Sequence, residues 1–399
     1  MNITRLETIR APHLPNLVWV RVHTSSGLVG LGETFYIPAA VESVVHDFAA
    51  PLLLGQSAFD RERHWQSLFS YAHLFGHAGA EMRAISAIDI ALWDLFGKQT
   101  GEPVLNLLGG QTRDSIRIYN TCVDTPLYAD QTGFLESPAD LARSLLDQGI
   151  TAMKVWPWDR FAPQTRAAAA TGPAGWSAVG AVGHDLLPEQ LARGLWTVQE
   201  IRRAVGDRMQ IAIEGHSRWD VNCTLRIARA LESYDVMWME DFLQPDSADD
   251  LARIVRESRV PQTVSERLFT RHAFRRVLDA QAAHIVMPDI IWTGGLSEAL
   301  KIAALADTHH LPIAPHDCTG PVNLFACLHL CAAVPNVMIM ETVRGFCEGY
   351  YREVATPAVP IRDGRAVLDQ FGPGLGVELR AEFLGRPDLI RRVSSLTSH

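Results

Sequence analysis

Six polar side chains in the second half of the chain recur on a nearly even beat. Glu214, Glu240, Glu266, Asp289, His316 and Glu341 each close a short apolar run (IAIE, VMWME, TVSE, HIVMPD, LPIAPH and VMIME), at intervals of 23 to 27 residues. One carboxylate after one strand carries no meaning, but six polar residues at one phase of a repeating unit are expected to converge. Carboxylates from three successive strand ends, Glu214, Glu240 and Glu266, would repel one another unless a cation neutralised them. Oxygen-only donors favour a hard ion, and Mg2+ is the usual choice where substrate oxygens complete its shell. Taken singly, each glutamate reads as readily as a solvated charge or as the ion-pair partner of an arginine such as Arg267.

His316 lies one strand beyond Asp289 at matching phase, so the carboxylate can hold the imidazole tautomer and raise its basicity. That pairing suits a general base. A lone histidine is more often a polar residue satisfied under a loop; the paired aspartate argues against that reading. His216 stands two residues after Glu214 and would share its face on an extended strand, where it could donate a proton across the site. If the strand has already ended there, His216 is instead a hydrogen-bonding turn residue. Lys154 ends an earlier run (AMKVW), where a lysine could bind a carboxylate or act as a base, and Trp156 follows on the same face. His309 and His310, at a helix end, read as structural.

Positioning these side chains requires a repeating scaffold. Residues 1 to about 35 alternate apolar and polar, with Ser25-Ser26-Gly27 as a turn, and predict an antiparallel sheet. Helical patterns follow to Gly109, the last of them (AEMRAISAIDIALWDLFGKQT) broad enough to be largely buried. From Ser115 onward eight strand candidates alternate with helices: 116–120, 152–156, 210–214, 237–240, 262–266, 284–287, 312–314 and 337–341. One helix opens at Ser137-Pro138. The pattern indicates an α/β protein with a (β/α)8 TIM barrel, whose active site lies at the C-terminal strand ends. The expected division is an N-terminal α+β unit at 1–113, the barrel at 114–360, and a segment at 361–399 that packs back on the N-terminal sheet. The Ala/Gly/Pro-rich stretch at 157–188 is too long for a routine βα loop, and reads equally as an active-site cover or a mobile insertion.

At 399 residues the chain suits a barrel plus a smaller unit, and 47% apolar with 20% charged residues is ordinary for a globular protein. A net charge of −9 argues against nucleic acid or an anionic membrane as partner. No signal-type segment or membrane-length apolar run is present, and the six cysteines form no CxxC pair. A cytoplasmic protein with reduced, mostly core thiols is expected. Gly27, Gly30 and Gly32 have the wrong order for a dinucleotide fingerprint, and the chain has no phosphate-binding loop, G-x-S-x-G or H-E-x-x-H.

Several stretches together resemble the enolase superfamily, in its mandelate racemase-like branch, over nearly the whole chain. They are AISAIDIALWDLFGKQTGEPVLNLLGG at the end of the N-terminal unit, WMEDFLQPD, VSERLFTR, PDIIWTGGLSEALKIA and APHDCTGP. The resemblance implies a capping domain on the barrel and one Mg2+ per subunit, held by Glu214, Glu240 and Glu266. It implies that the ion and Lys154 grip a substrate carboxylate while His316, backed by Asp289, removes the α-proton, with Glu341 near the enediolate oxygen. A symmetric homo-oligomer is also implied.

Two departures bear on the reaction. The family usually has aspartate where Glu214 stands, and its racemases carry a second lysine where this chain has Trp156. His216 is placed like the general acid of galactonate dehydratase-like members. The reading is therefore a Mg2+-dependent sugar-acid dehydratase that yields a 2-keto-3-deoxy acid. The alternative is a cycloisomerase or epimerase acting through the same enediolate. A non-catalytic barrel would leave the acid–base set unexplained, and a zinc hydrolase would need histidine ligands that this carboxylate set lacks.

Overall fold

The computed structural model describes residues 1–163, 181–368 and 371–396. Three strands, β1 (Ile3–Ala11), β2 (Leu14–Thr24) and β3 (Val29–Phe35), form an antiparallel sheet, to which the C-terminal strand Ile390–Ser395 adds alongside β1. Alternation along β2 divides its side chains between two cores. Val18, Val20 and Val22 join the helices of the N-terminal unit, whereas Leu17 and Trp19 join the core that continues into the barrel.

The helix Ala80–Thr100 is buried nearly all round, as its composition predicts. It lies so close to β3 that a Cβ on Gly32 would stand 1.9 Å from the Ala87 carbonyl oxygen. Gly30 meets Ala91 in the same way. Those glycines thus serve close packing of strand on helix.

Parallel pairing runs through β4 (Ser115–Thr121), β5 (Ala152–Val155), β6 (Gln210–Glu214), β7 (Trp238–Glu240), β8 (Gln262–Val264) and β9 (Ile285–Val286). The ring continues through bridges from Val286 to Ile313 and from Ile313 to Val337, and closes where β10 (Met340–Thr342) pairs with β4. The chain is therefore a (β/α)8 barrel with an N-terminal cap. The seventh strand, expected at 312–314, is reduced to isolated bridges, because Pro312 and Pro315 offer no N–H to a ladder. The hairpin of Ile361–Arg362 and Arg365–Val367 pairs antiparallel with the start of β4.

Inside the barrel, Ala152, Ala212 and Ala314 leave room for Tyr119 and Trp238, whose rings meet edge-on at 5.3 Å. This packed floor supports the polar strand ends above it. Glu214 and Glu240 are register partners across β6 and β7, and Asp289 bridges His316. No described helix is long and apolar enough to cross a membrane. All six cysteines are free thiols, and five are buried.

Candidate active site

Lys154, on β5, sends its ammonium into a group of buried carboxylates. Nζ bonds Glu240 Oε1 and lies 2.9 Å from Glu341 Oε1 and 3.3 Å from Glu214 Oε2. Burial pulls the ammonium down, but Glu240 and Glu341 outweigh it and hold Lys154 well above the usual lysine range. Glu240 also accepts from Trp238 Nε1 at 2.8 Å, so the lumen floor orients the carboxylate. Glu341 accepts from Thr121 Oγ1 and, at 2.8 Å, from the Asp317 N–H.

Glu266 takes a different neighbour. Its Oε1 lies 3.2 Å from Arg267 Nε, and its side chain contacts Asp241, which Ser265 Oγ also bonds. Glu214 and Glu240 are in contact as well. Burial and Glu214 push Glu240 well above the carboxylate range, and burial and Glu266 do the same to Asp241. Burial also works against the Glu214 charge, but His216 and Lys154 outweigh it and hold the group at about 2. The buried Glu266 Oε2 has no hydrogen-bond partner. Two carboxylate pairs in contact and an unpaired buried oxygen exceed what Lys154 and Arg267 neutralise. The set therefore fits one more hard cation, with Glu214, Glu240 and Glu266 as oxygen donors.

The two histidines are built alike. His316 Nδ1 meets Asp289 Oδ2 at 2.7 Å, while Nε2 lies 3.3 Å from Cys318 Sγ and 3.8 Å from Glu341 Oε2. Burial lowers the imidazole, yet Cys318, Glu341 and Asp289 together hold it well above its ordinary value. His216 Nδ1 meets Asp159 Oδ2 at 2.6 Å, and its ring rests edge-on against Trp156 at 5.5 Å. Burial lowers His216 too, and Glu214 and Asp159 reverse that to a net rise.

The strand has ended by His216, so the residue does not share the face of Glu214. Glu214 Oε1 accepts from the N–H of Gly215 at 3.1 Å and of His216 at 2.8 Å. That turn sets His216 at φ 46° and swings its ring toward Asp159. Sequence reasoning missed Asp159, Asp241 and Cys318. Asp159 stands in the 157–188 stretch, of which 164–180 lies outside the described residues. The cap reaches the site through Tyr36, whose ring lies 5.6 Å from Trp292, itself 5.2 Å from His316. A cavity of about 360 Å³ opens between His77 and Ala78 of the cap and Asp246, Arg267, Phe269 and Arg276 of the barrel.

A profile described as enolase C-terminal domain-like matches residues 138–383, and one for the mandelate racemase/muconate lactonizing enzyme N-terminal domain matches 8–109. The chain belongs to the mandelate racemase/muconate lactonizing enzyme family. It is similar to a crystal structure of an enolase of the mandelate racemase subgroup from Agrobacterium tumefaciens, with 41% identity, a TM-score of 0.87 and 99% of each chain covered. Among curated proteins it is 31% identical to a D-galactonate dehydratase of Ralstonia nicotianae, over 95% of this chain and 92% of that one. It is 28% identical to a D-xylonate dehydratase of Haloferax volcanii, over 91% of this chain and 84% of that one. The two departures from the family's pattern have visible local roles: the longer Glu214 side chain folds back onto its own turn, and Trp156 buttresses the His216 ring.

Proposed function

We propose that the chain is a hydro-lyase that removes water from a sugar acid, an aldonate or aldarate, to give a 2-keto-3-deoxy acid. The relatives named as D-galactonate and D-xylonate dehydratases support this class. One observation carries the reading: two imidazoles stand beyond the end of the third barrel strand and at the seventh strand position, on opposite sides of the ring, each held at Nδ1 by a buried aspartate.

His316, with its tautomer held by Asp289, accepts the α-proton of the substrate at Nε2 in its neutral form, which a cation at the neighbouring carboxylates would favour against the pull of Cys318 and Glu341. His216, kept protonated by Glu214 and Asp159, gives its proton to the departing β-hydroxyl, which leaves as water. The resulting enol takes up a proton at C3 to become the keto acid. Lys154 and its carboxylates fix the charge around the substrate's acid group. Glu214, Glu240 and Glu266 would hold Mg2+, which would supply the positive charge that makes a proton beside a carboxylate acidic enough to remove. The cap residues at 34–38 and 73–79 select the sugar acid. The protein acts in the cytoplasm as a homo-oligomer.

The test is a panel of aldonic and aldaric acids with Mg2+, followed by keto-acid formation and product mass in D2O. A product lighter by one water and carrying deuterium at C3 is expected, with turnover abolished in His316→Asn. A product of unchanged mass, or turnover retained in His316→Asn, overturns the reading.

A further inference from the structure

We infer that His316, Cys318 and Glu341 form a second metal site, for a soft divalent ion of the zinc class, whose occupation switches off proton transfer at His316. This site is distinct from the carboxylate set of Glu214, Glu240 and Glu266. Ligand atoms of these three residues all lie within 4.8 Å of one another, and all three are buried. The His316 Nε2 to Cys318 Sγ separation is 3.3 Å, and Nε2 to Glu341 Oε2 is 3.8 Å. Zinc bonds of about 2.0–2.3 Å in a tetrahedron place neighbouring ligand atoms about 3.3–3.7 Å apart, so small shifts suffice.

Local structure supplies the rest. His316 and Cys318 are two residues apart, and their side chains meet at Nε2 and Sγ. The far nitrogen of His316 bonds Asp289 at 2.7 Å, the outer carboxylate that a metal-binding imidazole usually recruits. Glu341 is steadied by the Asp317 N–H on the same oxygen that faces His316. One nitrogen, one sulfur and one carboxylate leave a fourth position open. A thiolate selects zinc, cadmium or cobalt over Mg2+, which prefers six oxygens. An ion there takes the Nε2 lone pair that receives the substrate proton. That consequence rests on the dehydratase reading; the site itself does not.

Cobalt titration of the chain in excess Mg2+ tests the site without turnover. One equivalent of Co2+ should give a thiolate-to-cobalt charge-transfer band in the near ultraviolet, absent from Cys318→Ser and weakened in His316→Asn. With a sugar acid that turns over, Zn2+ should inhibit, and its midpoint should rise by about tenfold or more in Cys318→Ser, each protein scaled to its own zinc-free rate. Absence of the band in the intact chain, or a band that persists in Cys318→Ser, overturns the proposal. Equal zinc inhibition of both proteins does so too, because it puts the ion at the carboxylates. If Cys318→Ser does not fold, Cys318→Ala takes its place with the same criteria. If no sugar acid is turned over, the dehydratase reading fails while the cobalt band still decides this one.

Discussion

Asp289 and Asp159 perform one task on two imidazoles, and only the first was legible in the sequence. Asp289 and His316 both close apolar runs at the same phase, so their pairing could be read from spacing. Asp159 lies five residues beyond Lys154 in an irregular stretch with no periodicity to place it. Its role rests on the 2.6 Å bond to His216. Asp159→Asn keeps the shape but removes the charge that helps keep His216 protonated. We expect kcat to fall by about 10- to 100-fold with a smaller change in KM, measured on any sugar acid that is turned over. An unchanged kcat would remove His216 from the reaction. For Lys154 the sequence allows a carboxylate binder or a base. Surrounded by Glu214, Glu240 and Glu341, it stays charged at neutral pH and cannot accept a proton there.

The helix Ala80–Thr100 shows how an apolar pattern can conceal a polar purpose. Its periodicity predicts burial, but not that Ser86, Asp89 and Trp93, on one face, bind the first turn of the barrel helix Gly295–Thr308. Ser86 Oγ accepts from the Gly294 N–H at 2.9 Å, Asp89 accepts from the Ser297 N–H and Oγ at 2.9 and 2.6 Å, and Trp93 Nε1 donates to Ser297 Oγ at 2.9 Å. Gly295 has φ +83°, and a Cβ on it would stand 2.4 Å from Asp89 Oδ2. Asp94, on another face, accepts from the N–H groups of Leu31 and Leu375 at 2.9 and 2.8 Å and pairs with Lys98 at 2.7 Å. Asp94→Ala strands two buried donors and takes one partner from the Lys98 ammonium, which keeps Glu378 and the Val29 carbonyl. A stability loss on the order of 3 kcal/mol is expected from the shift in denaturant midpoint. A loss under about 1 kcal/mol would mean that water replaces the carboxylate.

The whole architecture was legible because six polar strand ends recur at one phase within eight strand candidates that alternate with helices. The return of the chain was only partly legible, because its strands are short and follow no repeat. Ile390–Ser395 joins the cap sheet, while the hairpin ahead of it joins the barrel. One residue ties three parts of the molecule together. His329, in a barrel helix, accepts from the Leu105 N–H at 3.0 Å and donates to the Leu375 carbonyl at 2.9 Å. Burial pushes its imidazole down to about 4. An unfolded histidine titrates near 6.5, so between about pH 6.5 and 4 the unfolded chain binds the extra proton. Stability from this residue is complete above that window, falls as the pH drops through it, and is lost by about 3 kcal/mol at the bottom. Denaturant midpoints at several pH values should show this fall, and His329→Gln should flatten it. An identical pH slope in the variant would refute the assignment.

The hydrogen bonds from Ser86, Asp89 and Trp93 to Gly294 and Ser297 also bear on how such a chain can diversify. They form a socket on the barrel that involves neither His216 nor His316, nor the cap residues at 34–38 and 73–79. A cap that carries this helix is expected to keep much of its seat on another barrel that retains the Gly-Gly-Leu-Ser sequence, together with the bonds from Thr34 to Ile291 and from Trp65 to Gly294. Exchange of caps as modules would then leave the buried carboxylates and histidines of the barrel in place.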